Sequence, residues 1–178
     1  MDNRHLAKMQ QAVEDATNDF ARYPDVALNL EIAEKMYGNN KLCRAAMARV
    51  QTILKSGKGN RVLLALNLVE VCSKNGSLYL HKLLSTQVFM ETLMKLLKRR
   101  RGKAGLMAKF ENKDKKKIWF DVEEKALYLI QLWSDTFMLH EDDFPYFQKI
   151  YRQLRKEGVG FPIRDANERL MLSNLKGI

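Results

Sequence analysis

At 178 residues with a formal net charge of +10, the chain is long enough to bury one hydrophobic core without disulfides or metal. Its start, MDNRHLAKMQ, has no signal-peptide apolar region, and no apolar run approaches the about 20 residues of a membrane span, which predicts a soluble, cytoplasmic protein. Between Lys95 and Lys117, eleven Lys/Arg face only Glu111 and Asp114 while the remainder is close to neutral, so global charge is a poor guide to partners.

Apolar residues recur at helical spacing almost everywhere, and no strand-like alternation persists. Leu6, Met9, Val13 and Ala16 mark one face of a first helix. Tyr23-Pro24-Asp25 stops it, and Asp25 is placed to cap the second. That helix runs to about Tyr37, where Gly38-Asn39-Asn40 ends it and offers the next cap. The third, from Lys41 to Lys55, carries Leu42, Ala45, Ala46, Val50 and Ile53 on one face. It ends in the turn Ser56-Gly57-Lys58-Gly59-Asn60.

The stretch from Arg61 to Cys72, RVLLALNLVEVC, is apolar almost all the way round, interrupted only by Asn67 and Glu70. A surface helix shows a single apolar stripe, so this fourth helix must be wrapped by others. Asn75-Gly76 predicts a left-handed stop for it. A short helix follows from Leu78 to Leu84, and then one capped by Ser85 or Thr86 with Val88, Phe89, Leu93, Leu96 and Leu97 facing inward. Residues 99–117 are basic and contain two glycines, which predicts a long loop. Helical spacing resumes with Val122, Ala126, Leu129, Ile130, Trp133 and Phe137, Trp133 being a core residue. The last helix has Phe144, Phe147, Ile150, Tyr151 and Leu154 and stops at Gly158. The expectation is an all-α domain over residues 1–165, an α-solenoid of about eight helices. Residues 166–178 are expected to be a short C-terminal helix or a linker toward absent modules.

Chemistry-bearing motifs are missing. His5, His81 and His140 are scattered, and the Gly-Lys of the Ser56–Asn60 turn lacks phosphate-loop spacing and a preceding strand. His81 reads as a hydrogen-bonded, partly buried residue. Cys43 and Cys72 sit in apolar helices without metal-type spacing and read as buried thiols of a reducing compartment, where a disulfide between them is disfavoured. The chain is expected to be neither an enzyme nor a cofactor binder.

Several segments in order carry a resemblance: DVALNLEI from Asp25, LLALNLVEVCSKNG from Leu63, His81, Phe89-Met90-Glu91, LIQLWSDTF from Leu129, and YRQLRKEGVGFP from Tyr151. Together they resemble the VHS domain, a module of endosomal and Golgi sorting adaptors within the ENTH/VHS superfamily. The resemblance implies a right-handed superhelix of eight helices, no catalysis and a monomeric module. It also implies cargo recognition beside other trafficking proteins at endosomal or Golgi membranes. Much of it is packing, which identifies a fold and not a task.

Three surfaces follow. Ubiquitin or ubiquitinated cargo would meet the second and fourth helices at Val26, Asn29, Leu30 and Arg61. Members of the family that bind ubiquitin show Trp where this chain has Val26, a loss of about 1–3 kcal/mol of anchor contact that predicts weak binding. The GGA branch binds acidic dileucine signals between its sixth and eighth helices, at positions that here read Gln87, Val88, Glu91 and Met94. Glu91 would repel an acidic signal, which argues against that groove. The third surface stands on physics alone: Lys98, Arg99, Arg100, Arg101, Lys103, Lys115, Lys116 and Lys117 would attract an anionic, phosphoinositide-bearing membrane. The alternative is a nuclear module binding RNA or the RNA polymerase II tail through the same charges. The scarcity of aromatic residues among those charges argues against a nucleic-acid platform.

Overall fold

The computed structural model describes residues 3–103, 110–165 and 168, with side chains throughout except at residues 99–103. Eight α-helices and one 3-10 turn make up its regular structure, and no strand occurs among the described residues. They are α1 (Asn3–Ala16), α2 (Val26–Met36), α3 (Asn40–Leu54), α4 (Gly59–Asn75), α5 (Leu78–Leu84), α6 (Gln87–Lys103), α7 (Lys113–Thr136), the 3-10 turn Met138–His140, and α8 (Pro145–Lys156). Helices α1–α5 form one compact unit and α6–α8 a second.

In the first unit α4 is the post. Val62, Leu64, Ala65, Leu66, Leu68, Val69 and Cys72 are each at most 3% exposed, as its all-round apolar coat requires. Helices α2 and α3 pack against it. Each large apolar side chain buried there stabilises the unit by roughly 1.5–3 kcal/mol relative to exposure. The caps are where the sequence placed them. The Asp25 side chain accepts from Leu28 N at 2.9 Å, and Asn39 accepts from Leu42 N at 3.2 Å. Asn60 ties the start of α4 to the α1–α2 connection, donating to Asp19 O at 2.8 Å and Ala21 O at 3.0 Å.

The expected left-handed stop at Gly76 does not occur. Its φ is −88°, an ordinary value, and its role is close approach: a β-carbon there would meet both Cys72 O and Leu80 Cδ2 at 2.5 Å. The glycines that do adopt the left-handed conformation after helices are Gly38, Gly57 and Gly158, the last at φ +75° closing α8 as expected.

In the second unit Trp133 of α7 is fully buried, with the Phe89 ring 6.3 Å and the Phe147 ring 5.3 Å away. Phe137 and Phe144 extend this aromatic core at 4.3 Å from each other. The long loop expected over residues 99–117 is helical at both ends, because 99–103 continue α6 and 113–117 open α7. Lys and Arg are good helix formers. Asn112 caps the new start by accepting from Lys115 N at 2.9 Å, and Asp114 in the first turn complements the helix dipole. Residues 104–109 lie outside the described residues, and so do 166–178 apart from Glu168.

Candidate functional site

Asp25, by capping α2, leaves Val26 at the helix start, 60% exposed, with Leu30 one turn later at 38%. Asn29 between them is buried and contributes no surface. Arg61 is engaged with α1: its Nη2 donates to Glu14 Oε2 at 2.5 Å and its Nε to Thr17 O at 3.0 Å. Arg49 donates to the other Glu14 oxygen. Burial alone would raise the Glu14 carboxyl, but the Arg49 hydrogen bond and the Arg61 charge outweigh it and hold the group below its ordinary value. Of the four residues predicted here, Val26 and Leu30 remain as surface, while Asn29 and Arg61 support the frame. Phe20 and Tyr23, at 95% and 79% exposed just ahead of α2, escaped the sequence reading because they lie outside any periodic segment.

In the second unit, α6 and α8 border a groove of about 300 Å³ lined by Glu91, Met94, Lys95, Lys98, Tyr146, Lys149, Ile150 and Gln153. Met94 and Ile150 give it an apolar floor. Lys95, Lys98 and Lys149 put three cations against one carboxylate. That carboxylate is also occupied: Gln87 Nε2 donates to Glu91 Oε1 at 2.7 Å, and Gln87 Oε1 accepts from Tyr146 Oη at 3.0 Å. Lys149 lies over the Tyr146 ring at 4.9 Å, and Lys98 is 3.5 Å from Glu157. The repulsion expected from Glu91 is therefore opposed by a cationic rim. Of the predicted groove residues, Met94 and Glu91 line it, Gln87 supports Glu91, and Val88 stands 62% exposed. The α8 half was missed, although Tyr146, Lys149, Ile150 and Gln153 recur at helical spacing. Periodicity shows that a face exists but not which helix it meets.

Of the predicted basic residues, Lys115, Lys116 and Lys117 are exposed on the first turns of α7, beside the exposed Lys113. Lys98 belongs to the groove, and the side chains of Arg99, Arg100, Arg101 and Lys103 lie outside those described.

Neither buried cysteine is an activated nucleophile. Burial pushes the Cys43 thiol up to about 11 and the Cys72 thiol to about 12, and both are free. His81 is buried with Nε2 at 2.8 Å from Ser73 O, and burial lowers its pKa despite that bond. No group of side chains suited to a metal ion occurs among the described residues, and no helix there is long and apolar enough to cross a membrane.

The described residues thus form an all-helical domain with an open groove between α6 and α8. A family model described as VHS domain matches residues 3–158, and the chain belongs to that family. TOM1-like protein 7 of Arabidopsis thaliana is 27% identical over 94% of this chain and 28% of its own length. Vacuolar protein sorting-associated protein 27 of Mycosarcoma maydis is 32% identical over 88% of this chain and 16% of its own. The chain thus spans less than a third of either relative. Among solved structures, the VHS and FYVE tandem domains of Hrs, a protein involved in membrane trafficking and signal transduction, superpose with a TM-score of 0.69. That match is 19% identical and covers 90% of this chain and 66% of the other, a likeness of fold.

Proposed function

We propose that this chain is a non-catalytic sorting-adaptor domain that binds a short acidic peptide segment of cargo in the α6/α8 groove, at the cytoplasmic face of endosomal or Golgi membranes. The observation that carries this reading is the lysine rim of Lys95, Lys98 and Lys149 over the floor of Met94 and Ile150. Carboxylates of a peptide meet the rim while an aliphatic side chain enters the floor, the usual division between polar orientation and apolar anchoring. The relatives named for vacuolar sorting and membrane trafficking support the trafficking part of this reading. Calorimetric titration with a peptide of clustered acidic residues followed by two leucines tests it. Binding should weaken with salt and vanish in Lys95→Glu/Lys149→Glu, whereas equal binding of an uncharged peptide overturns the reading.

A second reading, ubiquitin binding by α2, is favoured by the exposure of Val26 and Leu30 one turn apart. Amide shifts on adding ubiquitin should then map to α2 and α4, and their absence removes it.

A further inference from the structure

The first turns of α7 carry a surface that the cargo groove does not use. Lys113, Lys116, Lys117 and Phe120 are spaced three, four and seven apart, so they share one face of the helix. The core-facing side lies opposite, with Val122, Ala126, Leu129 and Trp133 buried. Phe120 is 61% exposed, and Phe110, just before the Asn112 cap, is 86% exposed. None of the ion pairs among the described residues uses Lys113, Lys115, Lys116 or Lys117. A single exposed aromatic residue is unremarkable on its own. Two that bracket a face of three lysines without ion-pair partners match the interface of an anionic bilayer, which offers negative headgroups outside and acyl chains beneath.

We propose that this leading end of α7 is a membrane-contact surface. Lys113, Lys116 and Lys117 bind the headgroups of an anionic bilayer, while Phe110 and Phe120 enter the interface. Asp121, Glu123 and Glu124 follow on the next turn and confine the contact to the helix start. The cations from 113 to 125 are all lysines, compact point charges suited to a diffuse charged sheet, with no planar guanidinium to fork onto one phosphate. That favours a membrane over a nucleic acid.

The test is flotation of the whole chain with vesicles of phosphatidylcholine alone or mixed with phosphatidylserine. The wild type should float only with the anionic vesicles, and less as salt is raised. Replacing Lys113, Lys116 and Lys117 by Gln should weaken partitioning by about fivefold per residue. Phe110→Ser/Phe120→Ser should weaken it by about tenfold or more. The replaced side chains are exposed, so thermal midpoints should stay near that of wild type, and titration of the acidic peptide should be unchanged. That peptide control separates failure here from failure of the cargo groove. Wild type that ignores anionic vesicles, or variants that float equally well, would overturn the proposal. So would retention of single-stranded RNA, lost with the lysines, in a chain that leaves vesicles alone.

Discussion

Gly76 stands against Leu80 so closely that a β-carbon at position 76 would lie 2.5 Å from Leu80 Cδ2, and equally close to Cys72 O. One of those neighbours is backbone and the other is 1% exposed, so neither yields easily. Gly76→Ala should therefore destabilise by about 1–3 kcal/mol, the range for overpacking. Urea denaturation should show a lower midpoint at unchanged slope. Gly158→Ala has open space around it and should lose only the left-handed preference, about 1–2 kcal/mol.

His81 makes stability pH-dependent. Its folded pKa is lowered by burial from 6.5, so the unfolded chain binds the proton more readily. The stability present above 6.5 is lost as pH falls from there toward the folded value. Thermal midpoints measured across that window should decline, and His81→Gln, which keeps a donor for Ser73 O, should flatten the decline.

Val26→Trp should strengthen ubiquitin binding. The site is exposed at the capped start of α2, so a larger ring meets solvent rather than core. An aromatic anchor of this kind is worth about 1–2 kcal/mol, or roughly tenfold. Amide titrations of both proteins with ubiquitin would measure the difference. An unchanged affinity would mean that α2 is not the contact.

Asn112→Ala should fray the start of α7. Loss of the 2.9 Å bond to Lys115 N removes about 1 kcal/mol from that end of the helix. Amide exchange should quicken over residues 113–118 and stay unchanged around Trp133.

The first unit was legible because each of its signals is local. The coat of α4 has one physical solution, and Asp25 and Asn39 each stand immediately before the helix they cap. The start of α7 was illegible for the opposite reason, since Lys113 to Lys117 show no apolar period. Only Asn112 marked the boundary, and among so many charges a cap residue reads as one more polar residue of a loop. The resemblance placed a groove between the sixth and eighth helices, but its α8 lining was illegible because it is built across distance: Gln87 and Tyr146 meet though 59 residues apart. Judged alone, Glu91 looks repulsive; beside Gln87 and Lys149 it is one member of a mixed rim.

The Asn112 cap has a mechanical outcome. Charges on a slack tether must surrender their wandering when they settle on any oppositely charged surface, and that loss of freedom weakens the attachment. Lys113, Lys116 and Lys117 stand on one face of a rod whose backbone was ordered when the protein folded, at positions the helical pitch dictates. They arrive pre-arranged, like teeth cut in a key, and more of their attraction survives as grip.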